Sequence, residues 1–106
     1  MKQPQPEARE KENIKQFFLE TKKSMKEQEA RMEEYDIPDR DFHIKLHNEL
    51  LRTIISFEFQ LDDASSEDLN SMTVYVEDWM DDHYLFFDKP LESFINLTDY
   101  VLEKEV

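Results

Sequence analysis

Three histidines and one aspartate carry the chemistry available to this sequence. His43 and His47 stand four residues apart in DRDFHIKLHNELL, and His83 and Asp88 stand five apart in DDHYLFFDKP. Positions i and i+4 stack on one face of a helix, so the first pair aims two imidazoles at one spot. Each histidine falls on the apolar stripe of its own segment, where a buried ring nitrogen needs a partner. A single histidine in such a place reads as a satisfied core residue; three in phase read as a ligand set. Asp88 lies just before Pro90, which is expected to end or kink the helix and let the chain turn inward. Three neutral imidazoles and one carboxylate suit a divalent transition metal: iron, zinc or manganese.

Helices must position these groups. Ile14, Phe18, Thr21, Met25, Gln28, Met32 and Tyr35 follow 3-4 spacing and predict a helix from about residue 7 to residue 35. Pro38 breaks it, and Asp39 is the expected N-cap of a second helix running to about Leu61. That helix carries His43, His47, Leu50, Ile54, Phe57 and Leu61 on one stripe. Ile44, Leu51, Ile55 and Phe59 widen its apolar face well past a half circle, which calls for a central place in a bundle or a covering partner. Ser65 or Ser66 caps a third helix with Leu69, Met72, Val76, Trp79, Met80, His83 and Phe87 inward. Leu91, Phe94, Ile95, Thr98, Val101 and Leu102 mark a shorter C-terminal helix. The fold class expected is all-α: an up-down bundle of three long helices plus a short fourth, as one domain over 10–106 behind a polar arm at 1–9.

Composition narrows the function classes. The chain has 106 residues and a net charge of −13, so its own field repels nucleic acid and anionic membranes. Cysteine is absent, which removes disulfides and thiolate metal sites and suits a reducing, cytoplasmic setting. No run is apolar enough to span a membrane, and MKQPQPEAREKE has no signal-peptide core. Glycine is also absent, so Gly-built phosphate loops are excluded and turns with positive φ are awkward. No general base or substrate pocket residue stands out, so the chain is not expected to be an enzyme.

The segments MEEYDIPDRDFHIKLHNELL and YVEDWMDDHYLFFDKPL resemble the bacterial hemerythrins. A Met, a Tyr-x-x-Pro-like turn, HxxxH, and a later Trp-hydrophobe-x-x-His followed by Asp occur in the same order over roughly residues 10–90. The resemblance implies a helical bundle built for two bridged irons and dioxygen binding. It makes His43, His47 and His83 the histidines of one iron and Asp88 a bridging carboxylate. The family's HxxxE motif falls on Ser24 and Gln28, neither a good iron ligand, and its first helix has no counterpart. Glu20, Glu27 and Glu29 are the nearby acids that could stand in, though each also reads as part of a solvated face. The expectation is therefore one metal ion, iron first, rather than a diiron centre. The implied role is non-haem-iron oxygen binding, carriage or sensing with an incomplete site, with dioxygen as the candidate ligand. The alternative is a metal-free helical interaction module that kept the fold. In either case a homo-oligomer or a helical protein partner is expected on the wide face of the second helix.

Overall fold

The structure, a computed structural model, describes residues 5–105, and among them every regular element is helical. Helix α1 spans Ala8–Glu34 and α2 spans Arg40–Gln60, extended by one 3₁₀ turn at Leu61–Asp63. Helix α3 covers Ser66–His83, a π-turn covers Tyr84–Asp88, and α4 covers Lys89–Glu105. Residues 1–4 of the polar arm expected at 1–9 lie outside the described residues.

The inward stripes of α1–α3 are those the 3.6-residue period marks. Ile14, Phe18, Met25, Leu50, Ile54, Leu61, Leu69, Met72 and Val76 form one continuous buried cluster between α1, α2 and α3. The half-buried Lys22–Glu58 ion pair, at 2.8 Å, joins α1 to α2 beside it. Ser65 caps α3: its hydroxyl accepts from the Asp68 N–H at 3.1 Å, and the Asp68 carboxylate accepts from the Ser65 N–H at 3.0 Å. This reciprocal pair satisfies donors that a helix start leaves without partners.

Two local expectations are corrected. Asp39 does occupy the N-cap position of α2, but its side chain makes no cap bond and its φ is +61°. Together with Asp36, at φ +49°, it takes the left-handed places a glycine would ordinarily fill in the α1–α2 turn. Aspartate tolerates that region better than most residues. The second correction concerns Pro90, which does not end the helix. Backbone angles stay helical from α3 through the π-turn into α4, and the Lys89 N–H reaches back five residues to the Tyr84 carbonyl. Proline lacks an N–H and its ring crowds the preceding turn, and the widened π-turn absorbs both demands.

The C-terminal helix is therefore a continuation of α3 and not a separate short member of the bundle. The molecule is a three-rod bundle drawn out to 67 × 22 × 19 Å. Beyond the π-turn, α4 lays Leu91 and Ile95 against Met32, with Tyr35, Ile37 and Ile44 packed around them. The Tyr35 hydroxyl donates to the Asp99 carboxylate at 3.0 Å, fixing α4 to the end of α1. The wide face of α2 is more covered than its pattern suggests. Leu51 packs on the central core and Ile44 on the α4 cluster, leaving Ile55 and Phe59 exposed.

Candidate metal centre

Toward the α1–α2 turn, the inner positions of α2 and α3 change from carbon to nitrogen. His43 and His47, one turn apart on α2, face His83 at the end of α3, and all three are buried. His83 Nε2 lies 2.7 Å from His43 Nε2 and 3.0 Å from His47 Nε2. Asp88 Oδ1 joins them at 2.9 Å from His83 Nε2 and 3.4 Å from His43 Nε2. One donor atom from each of these four residues falls within 4.8 Å of every other. Among the described residues this is the one such group of three or more histidine, cysteine or acidic side chains.

The π-turn explains how Asp88 arrives there. Residues five apart in an α-helix point ~140° away from each other around the axis. A turn closed by i→i+5 bonds brings the fifth residue back toward the face of the first. Tyr84–Asp88 is that turn, so Asp88 shares the face of His83. The five-residue spacing was the signal for it in the sequence; the inward placement follows from the widened turn and not from a break at Pro90.

Two aromatic rings hold His83 in place. Trp79, four residues before it, stacks at 4.5 Å and 18°, and Phe87, four residues after, stacks at 5.2 Å and 23°. His47 is held differently. Its Nδ1 lies 3.3 Å from Glu29 Oε2 on α1. A carboxylate can only accept, so Nδ1 carries the proton and Nε2 presents a bare lone pair to the cluster. Glu29 is thus not a solvated surface acid: its side chain is largely covered and engaged with His47.

The degenerate positions separate. Ser24 is exposed on α1 and stands apart from the four donors, whereas Gln28 is half-buried and close enough to Asp88 to act on its carboxyl. Burial alone would raise that carboxyl; contacts from His43, His83 and the Gln28 amide outweigh it and hold it well below the usual carboxylate range. His47 is also shifted downward, which for a base favours the neutral form. Burial pushes its pKa down to about 4, against the pull of the Glu29 carboxylate, and the neighbouring imidazoles push it the same way. His47 is therefore neutral at physiological pH, the form a metal requires.

The donor set has no internal solution. His83 Nε2 owns either one proton or one lone pair, yet three polar atoms crowd it within 3.0 Å. Asp88 Oδ1 is buried with no hydrogen bond despite its short distance to His83. A buried carboxylate oxygen without a donor is costly. A cation at the common focus of these lone pairs satisfies all four groups together, so the residues fit a metal ion.

No protein-family model, no curated protein and no solved structure matches this chain.

Proposed function

We propose that this protein binds one divalent transition-metal ion through His43, His47, His83 and Asp88. The observation that carries the reading is the orphaned Asp88 Oδ1 beside the Nε2 atoms of His83 and His43, in a group of four donor atoms that all lie within 4.8 Å of one another. Iron is the first candidate. An ion about 2.0–2.1 Å from each nitrogen spaces neighbouring donors ~2.9 Å apart at right angles and ~3.3 Å apart at tetrahedral corners. The separations of 2.7, 2.9 and 3.0 Å around His83 Nε2 lie nearer the right-angled spacing, and the 3.4 Å between His43 Nε2 and Asp88 Oδ1 lies nearer the tetrahedral one. Right-angled donors leave positions open on a six-coordinate ion, the pattern of non-haem iron sites with histidine and carboxylate ligands.

The likeness to hemerythrins supports an ancestral role in oxygen binding or sensing, reduced here to one metal. Ser24 and Gln28 cannot supply the ligands of a second iron, and Glu29 is engaged with His47. The ion would supply an open Lewis-acidic position. The chain's own residues fix the donors: Glu29 holds the His47 tautomer, Trp79 and Phe87 clamp His83, and the π-turn presents Asp88.

Metal analysis of protein purified without chelator tests the reading, followed by titration of the stripped protein with ferrous, manganous and zinc ions under anaerobic conditions. One equivalent per chain is expected, with ferrous ion bound in a six-coordinate environment by X-ray absorption. Two irons per chain with an oxo-bridged absorption band would overturn the single-ion site. No binding of any of the three ions would leave a metal-free interaction module as the function.

A further inference from the structure

Helix α4 carries two apolar seams, and the chain covers one of them. Leu91, Ile95 and Thr98 face α1 and are buried or half-buried. Pro90, Phe94, Leu97 and Val101 form the second, at steps of four, three and four residues, which is the spacing of a coiled-coil seam. Phe94, Leu97 and Val101 are 41, 62 and 44% exposed. Single exposed apolar residues need no explanation, but a continuous seam at this spacing does.

The seam runs into a groove of about 670 Å³ between the start of α2 and the start of α4. Phe42, Phe86, Phe87, Pro90 and Phe94 form much of its wall, and His43 lies at its edge. The helix also overhangs its support. Tyr35 meets Asp99, and the residues after Asp99 extend beyond the α1–α2 turn, with Leu102 on the covered seam but 55% exposed. One chain therefore presents both an open apolar groove and a projecting apolar helix end.

We propose that the occupant is a second copy of this chain, its α4 laid antiparallel across the first about a two-fold axis near Leu97. A groove and a matching projection on the same surface are self-complementary under such an axis. In this arrangement Val101 of each copy meets Phe94 of the other, and each overhanging end covers the other's groove. Parallel pairing would leave both grooves open and bring the two wide bodies side by side.

Charge placement on the α4 seam permits a second copy of this acidic chain, with Asp39 as the one acid lining the groove that its end would cover. At 3.6 residues per turn, Glu92, Asp99 and Glu103 lie ~160–200° around the helix from the seam centre. Ser93, Asn96 and Tyr100 flank the seam on its open side. Two α4 helices meet without opposing carboxylates, although each chain carries a net charge of −13. The long-range repulsion is screened by salt, while the apolar seam is not weakened by it. The exposed pair on α2, Ile55 and Phe59, has no comparable groove beside it among the larger cavities. The inference does not rest on the metal reading: Phe94, Leu97 and Val101 are not donors, and His43 only borders the covered groove.

Sedimentation of the full chain over a concentration series reads the association, and metal content measured on the same samples reads the site. A dimer that tightens as NaCl rises is expected. Leu97→Glu and Val101→Glu should each raise its dissociation constant at least ~30-fold, with metal stoichiometry and helical circular dichroism unchanged, while Phe59→Glu leaves the dimer intact. The chain has no cysteine, so single-cysteine variants report the register. Leu97→Cys, beside the two-fold axis, should cross-link rapidly between copies, and Val101→Cys should do so poorly. A monomer at high concentration overturns the proposal. So does a dimer that loosens with salt, one that survives Leu97→Glu, or one cross-linked equally well at both positions, since parallel helices would give that pattern.

Discussion

Toward the α2–α3 link, the space between the helices is filled by Ile14, Phe18, Ile54, Leu61, Leu69 and Met72; toward the α1–α2 turn, the same inner rows hold His43, His47 and His83. Both regions are buried, and both are built on the same helices with the same period. In the first, every contact is satisfied within the chain, because carbon needs only close packing. In the second, nitrogen and oxygen lone pairs crowd one point and one carboxylate oxygen has no hydrogen bond. The difference separates packing from candidate metal donors along one helix: the C-terminal half of α2 fills the core and its N-terminal half presents His43 and His47. Substitutions in the two halves should therefore act on different measurements.

The largest separation is expected between His83→Ala and Ile54→Val. Loss of His83 removes the ligand closest to the other three donors, and metal affinity should fall by more than ~100-fold, read by competition with a chromogenic chelator. Melting of the metal-free protein should change little, because a crowded polar group is lost along with the packing. Ile54, fully buried in the core, should behave in reverse. Its truncation by one methylene costs about 1 kcal/mol, or a melting shift of ~4–8 °C in a domain of this size, with metal affinity kept. Equal effects of both variants on both readouts would erase the distinction between the two ends.

Next in size is Glu29→Ala. Removing the carboxylate frees the proton on His47 Nδ1 to shift to Nε2, which would hide the lone pair from the ion. A loss of ~10–100-fold in metal affinity is expected. Glu29→Gln keeps an acceptor without the charge and should fall between that variant and wild type. Identical losses in Ala and Gln variants would show that charge, and not tautomer, is what Glu29 supplies.

The pH dependence of the metal-free protein sharpens the contrast. His47 has a folded pKa of about 4 against an ordinary value of 6.5, so the unfolded chain binds the proton more readily. Stability that the neutral ring contributes is full above about pH 6.5 and is lost as pH falls toward 4. Asp88, held below its ordinary range, adds a loss of the same sign at lower pH, as the unfolded carboxyl takes up its proton first. Melting should therefore decline on acidification, and His47→Gln should flatten the part between pH 6.5 and 4. A profile unchanged by that substitution would mean His47 is not the group responsible.

The helical rows and the three histidine donors were readable because a 3.6-residue period needs no knowledge of tertiary structure: Leu50, Ile54, His43 and His47 declare their face by spacing alone, and Asp88 was named by its distance of five residues from His83. The π-turn was less legible. An H-x-x-x-x-D pair on one helix requires either a break or a widened turn, and Pro90 suits both, so only the backbone decides. The course of α4 was hidden for the same reason, since a proline that ends one helix is absorbed by another. Glu29 was harder still. Its partner is eighteen residues away on a different helix, and nothing in its own neighbourhood separates it from Glu20 or Glu27. On the wide face of α2, Ile44 and Leu51 are covered by α4 and by the core, contacts that a single helix pattern does not contain.

The smallest expected effect distinguishes two residues that the resemblance to hemerythrins places together. Ser24 and Gln28 are one turn apart on α1, but only Gln28 reaches the site. Ser24 is exposed, so Ser24→Ala should leave metal affinity unchanged and alter stability by less than ~0.5 kcal/mol. Gln28 acts on Asp88 through its amide, one of the contacts that keep that carboxyl ionised. Gln28→Ala should weaken metal binding only a few-fold, because the imidazoles of His43 and His83 remain beside the carboxylate. Gln28→Glu sets a second carboxylate near Asp88, and repulsion between the two makes the metal-free protein less stable near neutral pH while raising affinity for a cation that relieves it. Calorimetric titration of both Gln28 variants beside Ser24→Ala reads these differences directly. If all three bind as wild type does, α1 takes no part in the site through Gln28 and contributes to it only through Glu29.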